Sequence, residues 1–552
     1  MAIKKAKIVQ IAICNRDEIL ECRDGDNLYQ VLAHDDLVEG PCGGMGCCGK
    51  CKVRILGDES LPLKESEATF FTQEEVEAGW RLACLYQVHH DIIVELPEKQ
   101  GVGSIVSDGY LRQFDKEPLI YKRLDGEGNT LVWAGKKLLS IEEGDTTRRC
   151  YGIAVDIGTT TVVATLVDLP AGEEVASMSC LNGQKSFGQD VISRIHYAMT
   201  HEMGTEILQK AILQDLKRLF QGLFEEYGIT GNDIYEVAVG ANTTMLHLLA
   251  GMDSRSLGVS PYEPAFYGSL TLEGAKLGLP VSPYCQVYCL PIVSAFIGGD
   301  ITAGILACGF YQDEKKVLFI DIGTNGEIVL SRADELVACS CAAGPALEGM
   351  NISCGIRAVQ GAIEDVEIVG NEVAYHTIGG GIPQGICGSG LLAVIAEMRR
   401  VGILHESGRL QTHPLVEVAE GKKRFVLDQQ YGIYLTQQDI RQVQLAKGAI
   451  LSGIYALLDA VGLSASHLEQ VIVAGQFGAH LKADSLVGSG LIPKELEEKI
   501  SYVGNTSKSG AFMCLLSQTE RERAEAIAQD IRYLELAQLD GYEDLFVKCM
   551  RF

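Results

Sequence analysis

The sequence is short of positive charge: 47 Lys and Arg stand against 73 Asp and Glu, a formal net charge of -26. That balance excludes a protein that coats nucleic-acid phosphates or anionic membrane, though not a small basic patch. An uninterrupted apolar run is also missing. The most membrane-like window, 288–310, is broken by Pro291, Gly298, Gly299 and Asp300, whereas a spanning helix needs about 20 mostly apolar residues. A buried element of a globular domain is the better reading. The first residues carry lysines but neither a continuous apolar core nor a small-residue cleavage site, so no secretory leader is expected. What remains is an ordinary globular composition, 47% apolar and 22% charged over 552 residues. At roughly 150 residues per domain this suggests about three or four domains. Without export the chain is expected in the cytoplasm, where its 18 cysteines are reduced, metal-binding or catalytic.

The cysteines cluster once. In Gly40-Pro-Cys-Gly-Gly-Met-Gly-Cys-Cys-Gly-Lys-Cys51, residues Cys42, Cys48 and Cys51 form C-x5-C-x2-C, and Cys84 follows 33 positions after Cys51. Glycine lets such a loop turn tightly and aim N–H groups at sulfur, and a fourth thiolate closes the site. The pattern resembles [2Fe-2S] ferredoxins of the adrenodoxin type. Zinc is the alternative, but a zinc ribbon usually pairs two C-x2-C knuckles and the segment has one. Cys47 in place of Cys48 gives spacings x4 and x3, which match neither this loop nor the plant-type C-x4-C-x2-C, so Cys47 reads as a bystander. Strand-like 6–13, 52–56 and 92–96, with a short helix over 27–37, fit a small β-grasp domain. Residues 1–98 hold 10 basic and 18 acidic side chains. This acidity either steers the domain to a basic docking patch or simply follows the whole chain.

Residues 99–150 read as a linker and small connecting module. Gly101-Val-Gly-Ser104 is an exit, and Asp125-Gly-Glu-Gly-Asn129 is a turn between strand-like 119–124 and 130–133.

From Tyr151 the chain changes again. An apolar strand runs into Asp156, then Gly158, Thr159, Thr160 and Thr161, then a second strand; the same unit returns at Asp321, Gly323, Thr324 and Asn325. This is an internal repeat. Each glycine bend brings backbone N–H groups and hydroxyls up to phosphate oxygens. Asp156 and Asp321 can hold a hydrated Mg²⁺, which typically takes one or two carboxylates plus phosphates. A third element, the amphipathic helix 446–461 followed by Gln470-Val-Ile-Val-Ala-Gly-Gln-Phe-Gly478, completes the set. Together these resemble the actin, sugar-kinase and heat-shock-chaperone (ASKHA) ATPases over most of 151–517. The resemblance implies phosphate contacts at Asp156–Thr161 and Asp321–Asn325, and adenosine contacts at Gly475, Gln476 and Gly478, where the usual Gly-Gly reads Gly475-Gln476. It also implies that 298–306 is the connecting helix, with Asp300 polarising water or positioning Mg²⁺; a helix N-cap is the alternative. Gly388, Ser389 and Gly390, in Gly385-Ile-Cys-Gly-Ser-Gly390, are assigned to the nucleotide cleft without a Walker lysine. Cys285/Cys289 and Cys339/Cys341 have spacings x3 and x1 that assemble no obvious second metal site, and read as buried thiols.

The expected fold is therefore α+β and α/β multidomain: a β-grasp [2Fe-2S] ferredoxin (1–98), a connector (99–150) and a duplicated actin-like, RNase H-like ATPase in two subdomains (151–552). With Cys341-Ala-Ala-Gly-Pro-Ala-Leu-Glu-Gly349, Gly240-Ala-Asn-Thr-Thr-Met245 and Ile386-Cys-Gly-Ser-Gly390, the layout resembles the reductive activators of corrinoid-dependent enzymes. The resemblance implies an ATP-hydrolysing one-electron reductase that returns Co(II) to Co(I) in a corrinoid protein of a methyltransferase system. Its cofactors would be a [2Fe-2S] cluster, ATP and Mg²⁺, and its reductant a low-potential donor. It allows a homodimer, although the middle region is shorter than in some relatives. Two competing expectations are an activator of a radical dehydratase or reductase, and a redox-sensing small-molecule kinase.

Overall fold

The computed structural model describes residues 7–15, 18–34, 37–38, 51–56, 63–64, 66–67, 70–97, 109–333, 335–419, 421–475 and 481–552. The chain divides into two compact units, Met1–Gly101 with Asn182–Ala211, and Val102–Leu181 with Ile212–Phe552.

In the first unit a five-stranded sheet runs in the order Glu18–Arg23, Ile8–Ile13, Ile92–Glu95, Lys52–Leu56, Trp80–Leu82. Alternation builds its core: Val9, Ile11, Ile13, Val53, Ile55 and Val94 point inward and are buried. Helix Leu28–His34 adds Leu28 and Leu32 to the same core. Asn27 starts that helix, its Oδ1 accepting from Tyr29 N at 3.1 Å while its Nδ2 donates to the Cys84 carbonyl at 2.8 Å. The segment grouped with this unit touches the helix too, Ser186 Oγ donating to Ala33 O at 3.0 Å.

The second unit opens with a three-stranded antiparallel sheet of Ile120–Leu124, Thr130–Ala134 and Lys137–Glu142. Asp125 Oδ1 closes the first turn by accepting from Glu127 N and Asn129 N.

Two larger sheets then repeat one plan. Strands Tyr151–Ile157, Thr161–Asp168 and Glu173–Leu181 form an antiparallel meander, and Ile234–Ala241 and Gln286–Ile292 follow in parallel on the other side of the first strand. Val317–Ile322, Gly326–Arg332 and Glu335–Cys341 repeat the meander, and Gln470–Ala474 and Ile500–Gly504 repeat the parallel pair. The spatial order is 3-2-1-4-5 in each half, so the repeat of sequence is a repeat of topology. Each half adds one strand, Gly268–Glu273 in the first and Ile531–Tyr533 in the second. The central strands are buried along nearly their whole length, the pattern of parallel sheets covered on both faces.

The helix expected over 446–461 is Gln437–Ala460, starting nine residues earlier. Thr436 caps it, accepting from Asp439 N while Asp439 answers to the Thr436 backbone. Among the described residues this is one helix long and apolar enough to cross a membrane, and it lies largely within the hydrophobic core of the second half. The window 288–310 became the end of strand Gln286–Ile292 and the helix Gly299–Cys308. Helix Thr506–Leu516, buried at every residue, leaves the second half and packs on strands Tyr151–Ile157 and Ile234–Ala241 of the first.

Candidate functional site: an acidic nucleotide cleft and a cysteine corner

Asp156 is the penultimate residue of strand Tyr151–Ile157, the first of the first half. Beyond it Gly158 N donates to Thr161 O at 2.9 Å, closing the bend. The second half matches this: Gly323 N donates to Asn325 O at 2.9 Å just after Asp321. Asn242, which caps helix Thr243–Ala250 through Oδ1, donates from Nδ2 to Thr159 Oγ1 at 3.2 Å. Asn505 Nδ2 donates to Asp156 Oδ2 at 2.8 Å. In the other hairpin Thr324 Oγ1 donates to Glu348 Oε1 at 2.7 Å.

Asp300 is the second residue of helix Gly299–Cys308, whose N-cap is Gly298. It is therefore not the cap; its Oδ1 accepts from Ile301 N at 2.9 Å. Burial, then the neighbouring charges of Asp321 and Asp156, push its carboxyl up to about 7. Burial and Asp156 push Asp321 up to about 7 as well. Asp156 is raised by burial and pulled back by the Asn505 hydrogen bond. Three carboxylates from distant parts of the chain thus share one cleft. A fourth belongs with them: Glu327, opposite Asp321 in the hairpin register, is raised well above the ordinary range by burial and by Asp300 and Asp321. No motif marks Glu327 in the sequence, but the tight hairpin puts residues 321 and 327 face to face on the same side. Among the described residues no three His, Cys, Asp or Glu side chains close on one point as ligands of a bare ion. An acidic cleft of this kind suits a hydrated divalent cation shared with phosphate oxygens.

Gly475 lies beside this cluster. Its φ is +93°, and a methyl group there would sit 2.6 Å from Asp321 Oδ1; only glycine holds this turn. Gln476 and Gly478 lie outside the described residues. Gly388, Ser389 and Gly390 form the first turn of helix Gly388–Arg400, after Cys387. Gly390 is required by packing, because a methyl group there would overlap the carbonyl of Ile363.

In the other unit, backbone pairing joins two of the four candidate cluster cysteines. Ala83 N donates to Cys51 O at 2.9 Å, and the next residue, Cys84, lies in the single turn Ala83–Leu85. Both cysteines are buried at the end of the strand pair Lys52–Leu56 and Trp80–Leu82. Half of a four-thiol donor set is therefore brought together from positions 33 residues apart, which fits a cluster closed by Cys42 and Cys48. Those two, with Cys47, lie outside the described residues. Cys285, Cys289, Cys339 and Cys341 are core residues of strands and turns, and burial raises the thiols of Cys285, Cys289 and Cys339.

A five-stranded ferredoxin joined to a duplicated 3-2-1-4-5 fold with an acidic cleft defines an iron–sulfur protein carrying an ASKHA ATPase. Residues 11–89 match the 2Fe-2S iron-sulfur cluster binding domain, residues 151–313 the RACo middle region, and residues 315–552 the C-terminal domain of RACo, its ASKHA domain. The corrinoid activation enzyme RamQ of Eubacterium limosum is 34% identical over 424 residues, 74% of this chain and 71% of that protein. A Co(II) methylated amine-specific corrinoid protein reductase of Methanosarcina barkeri is 25% identical over 430 residues, 72% of this chain and 76% of that one. A solved structure, the reductive activator for a corrinoid, iron-sulfur protein, superposes with a TM-score of 0.72 at 32% identity, covering 99% of this chain and 98% of its own. The chain belongs to the RACo family of reductive activators of corrinoid proteins.

Proposed function

We propose that this protein returns a corrinoid protein from inactive Co(II) to Co(I), using an electron held on its own [2Fe-2S] cluster and driven by ATP turnover. The observation that carries this reading is the union, in a chain of this family, of the Cys51–Cys84 corner with the acidic cleft of Asp156, Asp300, Asp321 and Glu327. When loaded, the cluster supplies one-electron storage and MgATP supplies free energy, each 59 mV of one-electron potential being worth about 1.4 kcal/mol.

Cys42, Cys48, Cys51 and Cys84 hold the cluster. Gly158 to Thr161 and Gly323 to Asn325 present N–H groups and hydroxyls to phosphates. Asp156 and Asp321 hold hydrated Mg²⁺, and Asp300 orients the attacking water. Gly475, Gln476 and Gly478 line the adenosine, and Gly388 to Gly390 border the cleft. Nucleotide assists by favouring one state of the activator–corrinoid complex over another. The partner belongs to a methyltransferase system, the electron comes from a low-potential donor, and the chain works without nucleic acid or membrane. Domain limits of 1–98, 99–150 and 151–552 serve this division of labour; sedimentation with and without ATP tests a homodimer.

The test is anaerobic. The protein is mixed with a low-potential reductant, ATP and a Co(II) corrinoid protein, and Co(I) absorbance is followed. ATP-dependent Co(I) is expected; its absence with a cognate partner overturns the reading, and phosphate transfer to a metabolite would make the protein a kinase. Asp156→Ala should abolish ATP turnover and leave the visible spectrum of the cluster intact.

A further inference from the structure

Gly504 and Asn505 form a junction at the end of strand Ile500–Gly504. Gly475 N, from the turn beside Asp321, donates to Gly504 O at 3.1 Å. Asn505 is the N-cap of helix Thr506–Leu516, its Oδ1 accepting from Lys508 N at 3.0 Å. The other end of the same amide donates to Asp156 Oδ2 at 2.8 Å, 349 residues away. The third arm is the chain arriving from the ferredoxin side. Gly109 bridges Gly504 in antiparallel fashion, and Tyr110 N donates to Val503 O at 2.7 Å. The approach is so close that a methyl group at Gly109 would overlap the Asn505 carbonyl.

Capping alone does not explain the asparagine, because serine and aspartate cap equally well. Only a side chain that both accepts at Lys508 and donates at Asp156 meets the two demands at once. We propose that Asn505 is a positioning residue for Asp156 and the point at which the tether of the ferredoxin meets the nucleotide cleft. This rests on the reading of Asp156 as a nucleotide-site residue. A shift of the tether at Gly109 moves the Asn505 backbone, and the amide carries that shift to the Asp156 carboxylate. Nucleotide bound at Asp156 acts back along the same path, since coupling between two sites is reciprocal.

Asn505→Ser in the full chain separates the two duties. Serine keeps the cap but does not reach Asp156. The melting temperature should stay close to wild type and the cluster spectrum should be unchanged. ATP turnover should lose about ten- to a hundred-fold in kcat, the scale of a misplaced group next to the chemistry, with little change in KM. Mg²⁺-dependent ATP binding, measured by equilibrium dialysis, should need more Mg²⁺. Gly109→Ala, on the tether side of the junction, should lower kcat in the same direction but less. The double variant should be no worse than Asn505→Ser alone, because both act through one junction.

Wild-type kcat and Mg²⁺ dependence in Asn505→Ser overturn the proposal. So does a loss that merely tracks a fall in melting temperature, which would leave Asn505 a cap only. Losses that multiply in the double variant, or none in Gly109→Ala, remove the tether from the junction. Asp156→Ala separates the two levels: if it still turns over ATP, the site reading fails, and if it is dead while Asn505→Ser is normal, only this inference fails.

Discussion

Glu327 stands directly across a hairpin from Asp321, and each carboxylate faces the charge of Asp300 or Asp156 as well. Such a set is unfavourable until a cation neutralises it, since like charges at close quarters resist ionisation. Ser340 Oγ donates to Glu327 Oε1 at 3.2 Å.

The Glu327→Gln variant should expose this opposition. Burial and the charges of Asp300 and Asp321 hold the Glu327 carboxyl well above the ordinary carboxylate range, and glutamine, its neutral isostere, removes that opposition. In metal-free protein the variant should melt no lower than wild type, and its advantage should grow as pH rises and the carboxyl is forced to ionise. With Mg²⁺ and ATP present the order should invert, because the cation gains from the carboxylate. A variant that melts lower than wild type in EDTA, increasingly so as pH rises, would remove Glu327 from the acidic set.

Asp300 and Asp321, both near 7 when folded, give a second pH signature. An unfolded aspartate titrates at about 3.9, so between about pH 4 and pH 7 the folded protein binds more protons than the unfolded chain. Stability therefore falls as pH rises through that window and levels off above it. The two groups titrate as a coupled set rather than singly. The melting temperature of nucleotide-free protein, taken as wild type minus Asp321→Asn, should decline from pH 5.5 to pH 8. A flat or rising difference would show that Asp321 is not strained by its surroundings. MgATP should reverse the decline and release protons on binding, detectable by calorimetry in buffers of different ionisation enthalpy.

The parts legible in the sequence were those whose physics is local. Asp156 to Thr161 and Asp321 to Asn325 announce their hairpins because strand, glycine bend and strand are contiguous. The start of helix Gln437–Ala460 was missed because Gln437, Gln438, Asp439 and Arg441 look like loop, although Thr436 and Asp439 spell a capping box. Gly390 invited a phosphate role, and what it meets is a carbonyl of strand Ala362–Val369. The tie from Asn505 to Asp156 joins residues 349 apart, and neither neighbourhood hints at the other. Long-range hydrogen bonds of this kind are created by the fold, so no spacing rule finds them.

The cysteine corner makes a test of its own. Cys51 and Cys84 are brought together by the bond from Ala83 N to Cys51 O, so each should be needed for the cluster. Cys51→Ser and Cys84→Ser are expected to lose the visible absorbance of the loaded protein while keeping ATP binding, since the cleft belongs to the other compact unit. Cys42→Ser and Cys48→Ser should do the same, and Cys47→Ser should keep the spectrum. Loss with Cys47→Ser and retention with Cys48→Ser would reverse the assignment of the loop. Loss of ATP binding together with the cluster would make the two units one folding unit.

Two glycines in the second half separate packing from ligand contact. Gly390→Ala forces a methyl group against Ile363 O at the buried start of helix Gly388–Arg400, and overpacking of this kind costs about 1–3 kcal/mol. Its melting temperature should drop, with ATP affinity falling only as far as the folded fraction does. Gly475→Ala, by contrast, meets the carboxylate of Asp321 at a residue with φ of +93°. There the strain falls on the cleft itself, displacing Asp321 or the turn that precedes Gln476. ATP affinity should fall by about ten-fold or more even in fully folded protein, a displaced charge-assisted contact being worth about 1.5–3 kcal/mol. The pair is read by melting temperature against equilibrium binding of ATP in the same samples. If Gly390→Ala lost affinity in fully folded protein and Gly475→Ala did not, the nucleotide would lie on the helix Gly388–Arg400 side, and the turn at Gly475 would be structural.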